Sequence, residues 1–186
     1  MHVRVVPYNS EWVQQFEQEA AHMRQVFGDE LVEIHHIGST SVPGLQAKPI
    51  IDMLPLVRDI ERVDSLNAAL GERGYEAMGE LGIPGRRYFR KGGDDRTHQA
   101  HVFQLGDANI ERHLAFREYL RVHSEVAAHY GALKVELAQR FPEDINGYMD
   151  GKDAFIKETE QAALLWYRNR SGVYISGTFP PVRPTH

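Results

Sequence analysis

The residues with the clearest chemical potential are Ile37-Gly38-Ser39, followed after residues 40–51 by Asp52-Met53. Glycine lets backbone come close to a ligand. The N–H groups beyond Gly38, with the hydroxyls of Ser39, Thr40 and Ser41, can cradle a phosphate. An ordinary serine-capped turn has the same letters, so the turn alone is weak support. Asp52 adds to it. It stands in the apolar run Pro49-Ile50-Ile51-Asp52-Met53-Leu54. A carboxylate does not bury there bare; it needs a metal ion, a cation or several donors. A structural ion pair to Lys48 or to an arginine is the plainer alternative. Lys48 could equally meet a ligand phosphate.

A second group is basic. Arg86, Arg87, Arg90, Lys91 and Arg96 cluster within an otherwise acidic chain. Arginine forks suit phosphate and carboxylate oxygens, although basic side chains also protect sheet edges. Strand alternation puts Arg87 with Phe89 on one face and Tyr88 with Arg90 on the other. His98 and His101 fall on opposite faces of a regular strand, so they cannot readily share one metal. His101 shares its face with Phe103 and Leu105, and a hydrogen-bonded core histidine is the alternative reading. Of His35 and His36, one faces the site and the other faces away. His113, Arg117, Lys134 and Lys152 read as solvated or helix-packing residues.

These side chains need elements to position them. Val3–Val6 reads as a short strand ended by Pro7, with Asn9 or Ser10 as the cap of a following helix. Trp12, Phe16, Ala20, Met23 and Phe27 form the apolar face of that helix, and Gly28 ends it. Residues 31–37 and 50–57 read as strands, the second buried on both faces apart from Asp52. A helix runs from Asp59 to about Glu72, then a short strand over 75–78. Strands over 87–91 and 99–105 are joined by Gly92-Gly93-Asp94-Asp95, a strong turn signal. The remainder is helical, with a break near Ser124 and a last helix carrying Tyr148, Phe155, Ile156 and Trp166. One domain covers 1–169, and 170–186 is a Pro- and Gly-rich tail.

Composition narrows the function. Among 186 residues, 26 are acidic and 21 basic, a net charge of −5, which argues against stable nucleic-acid or anionic-membrane binding. A small phosphorylated ligand needs only a local basic patch. No cysteine is present, so disulfides and thiolate metal sites are excluded. Met1-His2-Val3-Arg4 lacks a signal-peptide apolar core and no apolar run approaches a membrane span, so the expected location is cytoplasmic. A homo-oligomer is compatible with the sequence.

The Ile37-Gly38-Ser39 and Asp52-Met53 layout resembles the nucleotidyltransferase superfamily related to DNA polymerase beta, where Asp-hydrophobic-acid follows the glycine turn. Leu54 stands where the second acid would be, so the usual carboxylate clamp is incomplete. A fuller resemblance is to the GrpB (UPF0157) family, which is also found fused to dephospho-CoA kinases. It rests on His36 to Leu45, Ala47 to Asp52, Arg87 to Lys91, His98 to Phe103, His113 to Arg117 and Asp150 to Ile156, and runs from Val5 to about Trp166. It implies an α+β fold with a nucleotidyltransferase-type mixed β-sheet flanked by helices, and a C-terminal helical cap. It favours His36 over His35 at the site. The implied cleft has Gly38, Ser39, Thr40, His36, Lys48, Arg86, Arg87, Arg90, Arg96 and His98 binding substrate, and Asp52 with His101 as catalytic and metal-holding residues. A third acid would sit near His101 in a polymerase-type transferase. Histidine suits Mn²⁺, Zn²⁺ or Fe²⁺ better than Mg²⁺, or serves as base or phosphate donor.

The expected function is binding of a nucleotide or another phosphorylated small molecule, with nucleotidyl transfer assisted by a divalent metal, Mg²⁺ or Mn²⁺. The alternatives are a non-catalytic module for a nucleotide or CoA precursor, and a metal-dependent enzyme built on Asp52, His98 and His101.

Overall fold

A computed structural model describes residues 1–170. Helix α1 (Glu11–Phe27) leads into strand β1 (Leu31–Ile37), then β2 (Ile51–Val57), α2 (Asn67–Glu72), β3 (Tyr75–Ala77), β4 (Arg87–Lys91) and β5 (His98–Gln104). Three helices close the fold: α3 (Ala108–Val122), α4 (Ser124–Arg140) and α5 (Ile145–Arg170). The five strands form one mixed sheet ordered β1-β2-β5-β4-β3, in which only β2 and β5 run parallel.

Side chains alternate across this sheet and split its interior into two cores. On one face Met53, Val57, Phe89, Ala100 and Val102 pack under Trp12, Phe16, Ala20 and Met23 of α1. That is the helix face expected from the period of three and four. On the other face Ile37, Leu54, Leu56 and Phe103 pack with Ile110 and Leu114 of α3. Helices α3–α5 extend that second layer through Val42, Leu45, Leu120 and Tyr130. The helical cap therefore stands on the face that carries Asp52, because Asp52, Leu54 and Leu56 alternate with Met53 and Val57.

Three local expectations change. Residues 3–6 form no strand of the sheet; Val6 makes one bridge to Ala47. The predicted helix from Asp59 is split. Asp59 Oδ1 accepts the Glu61 N–H, a 3-10 turn covers Glu61–Leu66, and only Asn67–Glu72 is α-helical. Leu105 lies past the end of β5 and is exposed, so it does not continue the His101 and Phe103 face. The cap of α1 comes from Asn9, whose Oδ1 accepts the Glu11 N–H; Ser10 makes no side-chain cap. The break near Ser124 falls at His123, between α3 and α4. Arg170 ends α5, and the rest of the predicted tail, 171–186, lies outside the described residues.

Candidate functional site

The glycine turn closes onto Asp52. Ile37 is the register partner of Asp52 across β1 and β2, so Gly38 follows directly beside the carboxylate. Gly38 has φ +71°, and a Cβ there would lie 2.7 Å from Asp52 Oδ2. Glycine is required twice at this point, for the left-handed backbone and for the close approach. Ser39–Ser41 form a single 3-10 turn, in which the Ser41 N–H reaches the Gly38 carbonyl at 3.1 Å. Two arginines of α3 hold the turn from outside. Arg117 donates to the His36 carbonyl at 3.1 Å, and Arg121 donates twice to the Ser41 carbonyl at 3.0 and 2.8 Å.

Among the described residues Asp52 has one side-chain hydrogen-bond partner. His101 Nε2 lies 3.1 Å from Asp52 Oδ1. Arg86 Nη1 lies 3.5 Å from His101 Nδ1, and a guanidinium can only donate. Nδ1 is therefore the acceptor, and His101 donates its Nε2–H to Asp52. In this arrangement both ring nitrogens are engaged, and His101 orients Asp52. Arg86 is consumed in the same way. It is buried, donates Nε to the Glu80 carbonyl at 3.1 Å and Nη2 to the Leu81 carbonyl at 2.8 Å, and stacks over Tyr88. Leu81 is the only non-glycine residue with positive φ among those described, at 42°.

The residues do not fit a resident two-metal centre. Leu54, in the second-acid position, is fully buried among Ile37, Leu56 and Phe103. Among the described residues no group of three or more His, Asp or Glu side chains could hold a metal ion. This also removes the geometry for a metalloenzyme of Asp52, His98 and His101. What Asp52 offers is one oxygen, Oδ2, which suits an ion held jointly with a ligand's phosphates.

A wall of lysines lines the same cleft, Lys134 of α4 and Lys152 of α5 from the helical cap and Lys48 from the loop before β2. Lys48, Lys134 and Lys152 all line a cavity of about 750 Å³ that also contains Ser39, Thr40 and Asp52. Lys134 is 2% exposed and donates to Ser39 Oγ at 2.8 Å, with its ammonium 4.3 Å from the Tyr130 ring centre. Lys48 and Lys152 lie 5.3 and 5.1 Å from the centre of the Tyr148 ring. Burial, and then the charges of Lys152 and Lys48, push the Lys134 ammonium down to about 6. Burial and Lys48 bring Lys152 down to about 8, with Asp52 pulling the other way. Lys48 is also lowered, by burial first. Among the described residues no carboxylate forms an ion pair with any of the three. Tyr148 is fully buried and its hydroxyl has no hydrogen-bond partner among those residues.

The cleft thus gathers Gly38, Ser39, Thr40, Lys48, Asp52, Arg86 and His101 of the residues expected, with Arg90 and Arg96 at its rim. Arg90 is tied to Glu76 at 2.6 Å and Arg96 to the Gly93 carbonyl at 3.2 Å. Three expected residues stand elsewhere. Arg87 faces the other side of the sheet and grips Asp64 with two bonds of 2.6 and 3.2 Å. His98 pairs in register with Lys91 on that same face, near Glu19 of α1. His36 also turns that way and stacks on Phe16 with ring centres 4.8 Å apart. Strand parity is the reason in each case. His36 still supports the loop, through Nε2 to Thr40 Oγ1 at 2.9 Å, while Thr40 donates to the Ile50 carbonyl. Burial lowers its imidazole to about 4, which keeps it neutral. Lys134, Lys152 and Tyr148 were not anticipated at the site. Their signal was a lysine on an apolar helix face beside Tyr130, Leu133 and Leu137, and a second at i+4 from Tyr148.

The family model described as GrpB protein matches residues 2–162. UPF0157 protein YqkA of Bacillus subtilis is 48% identical over 169 residues, 91% of this chain but 49% of the relative. The chain therefore spans about half the length of that relative. A dephospho-CoA kinase of Mycolicibacterium paratuberculosis is 23% identical over 88% of this chain and 46% of its own length. The crystal structure of the conserved protein GrpB from Enterococcus faecalis superposes with a TM-score of 0.86 at 50% identity, covering 88% of this chain and 99% of that one. The Cid1 poly(U) polymerase with Mg 3′-dATP bound superposes with a TM-score of 0.52 at 12% identity, covering 78% of this chain and 49% of that one; this likeness shows a nucleotidyltransferase-like fold. By the family model and by the relatives that share half its residues, the chain belongs to the GrpB family.

Proposed function

We propose that this protein binds a nucleotide, through its phosphates, in the cleft between Asp52 and the lysine wall, and transfers a nucleotidyl group. One observation carries this reading: Lys48, Lys134 and Lys152 converge around Ser39 and Tyr148 with no carboxylate ion-paired to them among the described residues. Lys48 and Lys152 feel the charge of Asp52 but make no ion pair with it, and a polyanionic ligand supplies the closer partner. Phosphate oxygens also supply an acceptor for the unpartnered Tyr148 hydroxyl. Gly38 and the Ser39–Ser41 turn present backbone close to that charge. Asp52 Oδ2 together with phosphate oxygens would hold one Mg²⁺ or Mn²⁺, which would neutralise charge on the phosphates. His101 and Arg86 fix the Asp52 carboxylate.

The test is thermal stability with nucleoside triphosphates and inorganic tripolyphosphate, each with and without Mg²⁺. A ligand at a hundred times its Kd stabilises by about 2.7 kcal/mol, or roughly 5–10 °C for a chain of this size. Lys152→Met should lose most of that shift. If no triphosphate or tripolyphosphate raises the melting temperature of the natural protein, the reading fails.

A second reading is a binding module without chemistry. Leu54 favours it, since the second acid of a metal clamp is absent. The match to part of a longer dephospho-CoA kinase fits an accessory role for such a domain. Binding of triphosphate with no transfer to any acceptor, water included, would select this reading.

A further inference from the structure

The missing acid leaves a chemical question. A hydroxyl acceptor must lose its proton as it attacks phosphorus, and the residues here do not build the second metal site that would assist it. The lysine wall contains a nucleophile that does not need this help. Lys134 lies in the cleft, 2.8 Å from Ser39 Oγ on the glycine turn, with no carboxylate paired to it among the described residues. One N–H is committed to Ser39. Once the amine is neutral, its lone pair is free for attack. Two further lysines, Lys48 and Lys152, stand around Tyr148 to take the charge of the departing phosphates. A lysine desolvated beside other cations is an activated nucleophile.

We propose that Lys134 is the first acceptor of the nucleotidyl group, forming a covalent lysine–nucleotide phosphoramidate in the course of transfer. This rests on the reading of the cleft as a nucleotide site. The Nζ lone pair attacks the α-phosphorus of a nucleoside triphosphate, and an N–P bond forms. The bond from the α-phosphorus to its bridging oxygen breaks, and pyrophosphate leaves with the electron pair. The proton released from nitrogen passes to Ser39 Oγ, which already accepts the Lys134 N–H at 2.8 Å and lines the cleft. An acceptor hydroxyl or water then attacks the same phosphorus; as the P–O bond forms and the N–P bond breaks, the O–H proton passes to the departing Lys134 nitrogen, which does the work a second ion would otherwise do. Burial, and then the charges of Lys152 and Lys48, lower Lys134 to about 6 before a ligand binds and so favour its neutral form.

The experiment incubates the full chain with each of the four common nucleoside triphosphates, labelled on the α-phosphate, with Mg²⁺ or Mn²⁺. Label retained after denaturation is then mapped by peptide mass. The expected result is label on the peptide containing Lys134, discharged by mild acid and stable to mild alkali, as an N–P bond requires. Excess pyrophosphate should remove it and regenerate triphosphate. Lys134→Arg should abolish the label, because a guanidinium lacks the nucleophilic amine. Acid lability and mapping on the natural protein stand even where that variant fails to fold. A protein stabilised by triphosphate that never becomes labelled overturns this inference and leaves the binding site intact. Label on any residue other than Lys134 overturns it too. Absence of both binding and label overturns the site and the inference together.

Discussion

Replacing Lys134 by methionine should stabilise the protein, and by an amount that depends on pH in a defined direction. An ordinary lysine holds its proton up to 10.5, whereas buried Lys134 in the folded protein holds it only to about 6. Between these values the unfolded chain binds more protons than the folded one, so stability rises with pH across that window. Below about pH 6 both states are protonated and the full penalty of burying the charge is present. Each pH unit within the window changes the folding free energy by about 1.4 kcal/mol, so keeping Lys134 at pH 7 costs on the order of 4 kcal/mol. Lys134→Met removes that penalty and gives up the bond to Ser39, worth about 1 kcal/mol. The net gain of about 2–3 kcal/mol corresponds to a rise in melting temperature of roughly 5–10 °C at pH 7. The gap between the variant and the natural protein should shrink by about 3 kcal/mol from pH 7 to pH 9. Calorimetric melts of both proteins at intervals across that range measure it. A methionine variant that melts below the natural protein at pH 7, or a gap that stays constant from pH 7 to 9, refutes the reasoning.

Other outcomes follow from the same geometry. Gly38→Ala should lower stability by about 1–3 kcal/mol, since it adds a left-handed non-glycine backbone and a clash with Asp52; melting temperature and tripolyphosphate binding should fall together. Arg87→Ala should leave triphosphate binding unchanged by titration calorimetry, because its guanidinium grips Asp64 on the opposite face of the sheet. Tripolyphosphate should bind more weakly as pH rises through about 8, where Lys152 loses its charge, and Lys152→Met should flatten that profile.

Strand periodicity carried far into the structure. It separated Arg87 from Arg90 and His98 from His101, as observed. The same rule puts His36 away from the cleft, because its register partner is Met53 in the core under α1. The family resemblance had favoured His36, whose role here is beneath the loop. Lys134 and Lys152 were harder to read. Each sits on a helix whose neighbours are apolar, and only the packing of α4 and α5 over the sheet turns those faces toward Ser39 and Asp52. Periodicity shows that a lysine shares a buried stripe; the partner across the interface is a tertiary fact.

That distinction bears on what the cleft can do. Leu54 follows Asp52 at the i+2 position and so shares its face, where a second acid would point at the same ion. Instead Leu54 completes the packing of Ile37, Leu56 and Phe103, and an acid there would be buried among apolar side chains. The positive charge that a second ion would bring is available from the opposite wall, from Lys48 and Lys152. Restoring a carboxylate by Leu54→Asp should therefore destabilise the protein by several kcal/mol and fail to create a tighter metal site. Calorimetric titration with Mn²⁺ alone would check this; a variant that folds as stably as the natural protein and binds Mn²⁺ more tightly would show that the cleft had room for the second acid after all.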